Sequence, residues 1–192
     1  IVVTQNQIKK FKHDFLNYEI GLKSYLESKD CDGAISYLNS LSDNFGNSEN
    51  IIETGNAALD AILSAKKAIA ESKGIDFSAQ IQIPQKLDVA AIDMCIIFGN
   101  AVDNAIEACE RIKDGNKKID LTLICQDKRI FCRIANTTAE RQKGIFKTSK
   151  LDKQNHGFGL DNIKTTLAKY NSEPMITQID NEFVLKFIIF TK

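Results

Sequence analysis

The stretch Phe98–Cys109, FGNAVDNAIEAC, lies inside a helical pattern that runs from about Asp88 to Ile112. Apolar residues recur through this pattern at spacings of three and four, which predicts one buried stripe along the helix. The stretch therefore predicts a long helix with one face in the core of the protein. The members of the predicted stripe are Ile92, Cys95, Gly99, Val102, Ile106 and Cys109.

A second stripe on the same helix is polar and consists of Asn100, Asp103, Asn104 and Glu107. A solvated face is the usual explanation for a polar stripe. Solvated faces, however, are normally rich in Lys, Glu and Gln, whereas Asn and Asp disfavour helices. Short amide and carboxylate side chains on one face can also hold a hard cation such as Mg²⁺, which brings phosphates with it. The pattern leaves a solvated face and a ligand-binding face as alternatives.

The segment NAVDNAIEA resembles the N-box of the GHKL superfamily, whose ATP-binding (Bergerat) fold is shared by sensor histidine kinases, gyrase-type topoisomerases and heat-shock chaperones. The resemblance implies that Asn104 coordinates the Mg²⁺ of a bound ATP, and that Asn100 and Asp103 belong to the same nucleotide site. Topoisomerases and chaperones carry a water-activating Glu at the position of Asn100. Because an Asn cannot act as a general base, this difference favours a phosphoryl acceptor other than water.

The composition of the 192-residue chain is that of an ordinary globular protein with room for one or two domains. The 25 Lys and Arg residues balance the 25 Asp and Glu residues, so no charge excess indicates nucleic acid or an anionic membrane surface. No apolar run reaches the length of a membrane span, and no signal peptide is visible. The start at Ile1 without Met predicts a piece of a longer protein, which leaves room for an upstream membrane part.

The five cysteines form no CxxC pair and match no zinc-site spacing. Cys95, Cys109, Cys125 and Cys132 all fall on apolar positions of helical or strand patterns. The odd count and these positions predict buried, reduced thiols in a cytosolic compartment.

Residues 5–28 form a second helical pattern with a heptad seam, which needs a partner helix. Asp32 is the predicted N-cap of the helix that follows. A helical hairpin of about 50 residues has too small a core to stand alone. We therefore expect two copies to form a homodimer with a four-helix bundle. The seam consists of Ile8, Phe11, Phe15, Tyr18, Leu22 and Tyr25.

His13 lies about 200° round this helix from the seam residues Phe11 and Phe15, so it is predicted to face outward. A lone surface histidine is usually incidental. Here, however, Leu16 and Ile20 lie on the same side, and an exposed apolar surface beside a histidine can be a docking surface.

The segment FKHDFLNYEIGL resembles the H-box of sensor histidine kinases, most closely the form found in peptide-pheromone quorum-sensing receptor kinases. The resemblance implies that His13 is the phosphoacceptor and that Asp14 orients its imidazole. It also implies that Asn17 positions water for dephosphorylating a response regulator.

Thr54–Leu63 resembles the TGN segment that opens the catalytic domain of the quorum-sensing kinases. We therefore predict a dimerisation and histidine phosphotransfer hairpin over residues 1–53 and a catalytic ATP-binding domain over residues 54–192. Alternating apolar residues in the second domain predict strands, and Asp180-Asn181 marks a hairpin turn. Helices and hairpins are mixed, which predicts an α+β sandwich of three helices on a mixed β-sheet. The order of elements is that of the GHKL fold.

The polar stretch Thr137–His156 has no periodicity, which predicts either an active-site lid or a disordered surface loop. It ends in HGFGLDNI, which resembles the G2-box of histidine kinases. Glycines before a helix N-terminus expose N–H groups that suit phosphate, although a GxG is often only a turn. The resemblance implies that Gly157 and Gly159 approach the phosphates and that Leu160 packs beneath them.

The G1-box of the family, usually DxGxG, is replaced here by the sequence IANTT. Asn136 stands where the family's Asp binds the adenine amino group, and its carbonyl oxygen can accept the same hydrogen bond, although more weakly. Ile145–Lys150 resembles the degenerate F-box of the quorum-sensing subgroup. Lys147 or Lys150 would hold the γ-phosphate, or would be a solvated lysine.

The resemblance covers nearly the whole chain and implies the cytoplasmic kinase core of a membrane-bound sensor protein, whose sensor region is absent from the chain. It implies ATP- and Mg²⁺-dependent autophosphorylation on His13 and phosphotransfer to an aspartate of a response-regulator receiver domain. A response-regulator phosphatase activity is also compatible with it. The alternatives are a degenerate nucleotide-binding dimeric signalling module without kinase activity, an ATP hydrolase or Ser/Thr kinase of the same fold, and a plain dimerisation protein.

Overall fold

The computed structural model describes residues 5–41, 52–139 and 159–191, with the backbone alone for residues 5–15 and Leu41. The chain divides into two compact units, Ile1–Asn47 and Ser48–Lys192. This division lies a few residues before the predicted domain boundary. None of the helices in the described ranges is long and apolar enough to span a membrane.

The described residues of the first unit form two helices, α1 (Gln5–Glu27) and α2 (Cys31–Leu41). The turn between them places Lys29 in the left-handed region, with φ of 60°. The rings of Tyr25 and Tyr37 pack with their centroids 5.6 Å apart. At Gly21 a Cβ would lie 2.5 Å from the Tyr37 hydroxyl oxygen, so the two helices approach each other closely where α1 has no side chain.

Asp30 caps the start of α2, so the prediction of Asp32 as the N-cap was wrong. Oδ1 of Asp30 accepts a hydrogen bond from the Gly33 N–H at 2.9 Å. Asp32 lies in the first turn instead, where its carboxylate interacts favourably with the helix dipole. The left-handed residue Lys29 ends α1, which lets the second helix begin earlier than the apolar pattern indicates.

The described part of the heptad seam is open to solvent within one copy of the chain. Tyr18 is 46% exposed and Tyr25 is 36% exposed, while Leu22 is half-buried. On α2, Ile35 and Leu38 are also exposed. An apolar face of this kind needs a partner. The homodimeric four-helix bundle that would cover it stays a prediction.

Over its described residues, the second unit is an α+β sandwich of three helices on one five-stranded mixed sheet, as predicted. The strand order is β1-β2-β3-β5-β4, with β1 and β2 parallel and the other pairs antiparallel. The elements are α3 (Ala57–Ser72), β1 (Asp76–Gln82), α4 (Ala91–Glu110), β2 (Lys118–Gln126), β3 (Arg129–Thr137), α5 (Gly159–Ala168), β4 (Met175–Ile179) and β5 (Glu182–Phe190).

One face of the sheet carries the core. Inward side chains come from alternate positions of each strand, and the register places Leu121 opposite Ile134, which is in turn opposite Leu185. The tight turn between β2 and β3 places Asp127 and Lys128 at φ of 49° and 59°. These angles suit a two-residue hairpin turn whose twist matches that of the strands.

Helix α4 lies at the centre of this core. Phe98 is fully buried and its ring packs 6.0 Å from that of Phe187 on β5. Gly99, Val102, Ile106 and Cys109 are buried as predicted. The remaining buried apolar residues of the helix are Met94, Ile97, Ala101 and Ala105.

The prediction of which residues are buried was wrong at the start of α4. Ile92 is 66% exposed and Cys95 is only half-buried, whereas Asp93 is 5% exposed. The inward face of the first turn therefore carries a carboxylate. A pattern based on apolar residues cannot detect such a position, because the residue that occupies it is charged.

The cysteines are all free thiols, and the prediction that four of them are buried holds for two. Cys109 and Cys132 are buried, and desolvation raises the pKa of both thiols. Cys95 and Cys125 are half-buried, and Cys31 is exposed.

Helices α3 and α5 flank α4 in opposite directions. Helix α3 runs parallel to α4, since Lys66 pairs with Asp103 and, further along, Lys73 pairs with Glu110. Helix α5 runs antiparallel to α4, with its start beside Asn104 and its end beside the start of α4. The polar stripe of α4 therefore lies between two neighbouring helices.

Candidate functional site

The N-box and the G2-box meet where α5 begins. A Cβ built on Gly159 would lie 3.0 Å from Oδ1 of Asn104 and 3.4 Å from Oδ1 of Asn100. The φ of Gly159 lies outside the left-handed region, so the position needs the absence of a side chain and not the conformational freedom of glycine. The two asparagine amides thus lie directly against the N-terminus of a helix.

Asn104 carries a polar atom that lacks an internal hydrogen-bond partner in the described part of the chain. Its Nδ2 atom is buried and has no hydrogen-bond partner among the described residues. Buried polar groups are almost always paired, and an unpaired one costs about 1–3 kcal/mol. An unpaired amide nitrogen beside the start of a helix indicates a place for a polar ligand.

Asn100 is partly fixed by its own helix. Its Nδ2 donates to the carbonyl oxygen of Ile96 at 2.7 Å. Its Oδ1 lies on the side of Gly159. The residue offers an oxygen acceptor but no basic group, so nothing at this position can activate a water molecule as a carboxylate would.

Asp103 and Glu107 diverge from the two asparagines. Both carboxylate oxygens of Asp103 accept hydrogen bonds from Nζ of Lys66 on α3, at 2.6 and 2.7 Å. Glu107 is exposed and lies 3.8 Å from Arg111. The predicted polar stripe therefore divides into an amide pair facing α5, a carboxylate held by α3 and a solvent-exposed carboxylate. Sequence reasoning missed Lys66, because no local pattern links two helices.

Asn136 lies at the end of β3 and is 3% exposed. Its Nδ2 donates to the carbonyl oxygen of Thr137 at 2.8 Å. The amide is therefore oriented by the backbone, and its oxygen, which can only accept hydrogen bonds, is the group suited to a donor such as a ligand amine.

Thr137 is the last residue of β3 and not the first residue of the predicted lid. The backbone N–H of Lys118 donates to its hydroxyl oxygen at 2.9 Å, which ties it to β2.

The other predicted site residues are covered unevenly. Leu160 is buried at the start of α5. Asn17 is exposed on α1. His13 and Asp14 belong to helix α1, but the structure describes only their backbone and not their side chains. The other predicted site residues, Lys147, Lys150 and Gly157, lie outside the described residues, as does His156 at the end of the predicted lid.

Asp93 forms a buried clamp between α4 and the end of α5. Its carboxylate accepts hydrogen bonds from Nζ of Lys169 at 2.6 Å and from the hydroxyl of Tyr170 at 2.8 Å. The hydrogen bond from Lys169 holds the pKa of Asp93 below its ordinary value against the opposing effect of desolvation. Burial, together with the Asp93 hydrogen bond, raises the pKa of Tyr170. The clamp fixes α5 along α4, and with it the position of Gly159.

The chemistry of the donors fits a magnesium ion that arrives with phosphates. No group of three or more His, Cys, Asp or Glu side chains that could hold a metal occurs in the described ranges. Mg²⁺ is usually bound through one or two protein oxygens, with waters and phosphates filling its other positions. The amide oxygen of Asn104 is a ligand of this kind.

A family model described as GHKL domain matches residues 89–190. The matched range contains the amide pair of α4, Asn136 and the start of α5. No protein of curated function matches the sequence.

Solved histidine kinase structures share the fold at low sequence identity. The nucleotide-free catalytic domain of histidine kinase ThkA superposes with a TM-score of 0.53 at 17% identity, over 69% of this chain and 89% of its own. Histidine kinase AdeS of Acinetobacter baumannii gives a TM-score of 0.54 at 12% identity, over 97% of this chain and 81% of its own. Full-length ShkA in complex with AMPPNP gives 0.55 at 16% identity, over 98% of this chain and 46% of its own.

The family match and the fold agree with the geometry of the site. The match spans more than half of the chain's 192 residues, and the structure within it is the α+β sandwich seen in histidine kinase catalytic domains. The chain therefore belongs to the GHKL domain family.

Proposed function

We propose that this chain is the kinase core of a sensor histidine kinase. It uses ATP and Mg²⁺ to phosphorylate His13, and it passes the phosphoryl group to an aspartate of a response-regulator receiver domain. The observation that carries the nucleotide site is the buried, unpaired amide of Asn104 against Gly159. Membership of the GHKL family and the histidine kinase fold support the same assignment.

The nucleotide is held by residues from three elements. Oδ1 of Asn136 accepts a hydrogen bond from the adenine amino group. The backbone N–H groups at Gly159 and the preceding Gly157 bind phosphate oxygens, with Leu160 packed beneath. Lys150 contributes a positive charge to the γ-phosphate. Asn104 holds Mg²⁺, which when bound neutralises phosphate charge.

His13 supplies the nucleophile. Its neutral imidazole is nucleophilic near pH 7, and Asp14 orients the ring by accepting the proton of the other ring nitrogen. The nitrogen–phosphorus bond forms as the bond from the γ-phosphorus to the bridging oxygen breaks, and ADP leaves. Asn100 is no general base, so the site favours transfer to His13 over transfer to water.

Each of the two predicted domains has its own task. Residues 1–53 form the homodimer and carry His13, while residues 54–192 bind ATP. The matches to AdeS and ShkA support this arrangement, since they extend over 97% and 98% of this chain. We further propose that the chain is the cytoplasmic part of a membrane-bound receptor of the quorum-sensing subgroup, and that Asn17 supports a response-regulator phosphatase activity.

A degenerate nucleotide-binding module is the second candidate. The neutral amide of Asn136, at the position where the family carries a carboxylate, favours this reading. A neutral acceptor binds an adenine amino group more weakly than a charged one. Such a module would bind nucleotide and relay a signal through its dimer without phosphorylating His13.

The test is a labelling reaction on the full chain. Wild type and His13→Gln are incubated with Mg²⁺ and γ-labelled ATP, and binding of a non-hydrolysable ATP analogue is measured by calorimetry. We expect acid-labile, base-stable label on the wild type alone. Nucleotide binding without label would favour the degenerate module, and no binding at all would overturn both candidates.

A further inference from the structure

We propose that Lys66 is a positioning residue of the nucleotide site, which acts through Asp103 to hold the polar face of α4 in place from the neighbouring helix α3. The inference rests on the proposed nucleotide-binding function. It assigns a task to Lys66, which no motif includes. It also changes the expected task of Asp103, from nucleotide contact to helix placement.

The Lys66–Asp103 ion pair differs in geometry and burial from Lys73–Glu110, which also joins α3 to α4. Nζ of Lys66 lies 2.6 and 2.7 Å from the two carboxylate oxygens of Asp103, and the Lys66 side chain is 17% exposed while that of Asp103 is 49% exposed. The parallel pair Lys73–Glu110 joins α3 and α4 at 2.8 Å, but its side chains are 39% and 44% exposed. Because the Lys66 ammonium is the more buried of the two lysines and contacts both carboxylate oxygens, solvent screens its charge less, and the Lys66 pair restrains α4 more strongly.

The position of Asp103 matters because Asn104 follows it directly. A rotation of α4 that moved one would move the other, since neighbouring residues turn together on a helix. On the α5 side the Asn104 amide faces Gly159, which has no side chain that could hold it in place. The ion pair with Lys66 is therefore the contact that fixes the direction in which the Asn104 amide points.

Helix α3 is itself held firmly at its start by the TGN segment. Asn56 is the N-cap, and its side chain accepts a hydrogen bond from the Leu59 N–H at 3.2 Å. The Asp60 carboxylate accepts hydrogen bonds from the Thr54 N–H at 2.8 Å and from the Thr54 hydroxyl at 2.5 Å. Leu59 and Leu63 are fully buried beneath it. A helix anchored in this way can serve as a fixed support for Lys66.

The experiment measures the affinity of the full chain for an Mg²⁺-bound, non-hydrolysable ATP analogue by calorimetry, with thermal unfolding recorded for every variant. The variants are Lys66→Ala, Asp103→Ala, the double substitution and Lys66→Arg, with Lys73→Ala as the matched control. We expect each single alanine substitution, and the double one, to weaken binding by a similar factor of about 3- to 30-fold. Lys66→Arg, which keeps the ion pair, and Lys73→Ala should bind like the wild type.

Three results would overturn the inference. Equal affinity of the wild type, Lys66→Ala and Asp103→Ala would remove the positioning role while leaving nucleotide binding intact. Losses that multiply in the double variant would mean that the two residues act separately, as direct ligands. An equal loss in Lys73→Ala would mean that any break between the helices has the same effect. If the wild type itself bound no nucleotide, the proposed function would fail first.

Discussion

Gly159 contributes to the site through the side chain that it lacks. Its neighbours, Asn104 and Asn100, come from a different helix, and their amide oxygens lie 3.0 and 3.4 Å from where a larger residue would place its Cβ. The same amide of Asn104 has a buried nitrogen without a partner among the described residues. A small residue thus keeps a polar pocket open at a helix start, where a phosphate or a metal-bound phosphate can be held.

Gly159→Ala tests this directly. We expect nucleotide affinity to fall by about tenfold, because the new Cβ would lie 3.0 Å from Oδ1 of Asn104 and displace the amide. The free energy of unfolding should change little, since alanine is a better helix former than glycine and offsets the crowding. Calorimetric titration with an ATP analogue and urea unfolding give the two quantities.

The matched control for that substitution is Gly99→Ala on α4. A Cβ there would meet Cδ1 of Ile62 at 3.6 Å, an ordinary contact. A glycine inside a helix destabilises the fold by about 0.5–1 kcal/mol relative to an alanine. The free energy of unfolding of this variant should therefore rise by up to this amount, while its affinity for the ATP analogue stays unchanged. A loss of affinity in this control as large as that at Gly159 would contradict the steric explanation.

At the scale of the element, α4 shows what a sequence pattern can and cannot reveal. The stripe from Gly99 to Cys109 was predictable, because burial of apolar residues at helical spacing depends on local order. The exposure of Ile92 and the burial of Asp93 were not, because they depend on Lys169 and Tyr170, far away in the sequence. Long-range ion pairs leave no periodic signal.

The Asp93 clamp predicts an acid-dependent loss of stability. At neutral pH, Asp93→Asn should lower the free energy of unfolding by about 1–3 kcal/mol, since it removes a buried charge that Lys169 pairs. The folded-state pKa of Asp93 lies below its ordinary value of 3.8, so the ionised group stabilises the fold fully above that pH. This stabilisation is lost as the pH falls through the lowered pKa.

The measurement is urea unfolding of both proteins at several pH values from 7 downward. The difference between the wild type and Asp93→Asn should shrink below about pH 4. Asp114→Asn is the control, because Asp114 is exposed just beyond the other end of α4 and its substitution should leave stability unchanged at each pH. A difference for Asp93→Asn that stayed constant across this range would show that the charge itself is unimportant.

At the scale of the molecule, the order of motifs along the chain predicted the fold and the site better than any single sequence pattern did. The hairpin bounds Met175–Ile179 and Glu182–Phe190 agree with the alternation of the sequence, and Asp180 takes the left-handed turn position that such a residue tolerates. The approach of Gly159 to Asn104 was implied by family resemblance alone. No local rule links a glycine to an asparagine on another helix, so spacing could not have shown it.

The exposed seam of α1 leads to a prediction for the whole assembly. We expect the chain to be a dimer, and Tyr18→Glu to raise its dissociation constant at least tenfold, because each dimer would bury two new charges in an apolar seam.

Ile20→Glu on the same helix is the control: Ile20 is 66% exposed on the side predicted to face outward with His13. Sedimentation velocity over a range of concentrations distinguishes the variants. If the wild type were monomeric, or if the dimers of both variants had equal dissociation constants, the seam would not form the interface.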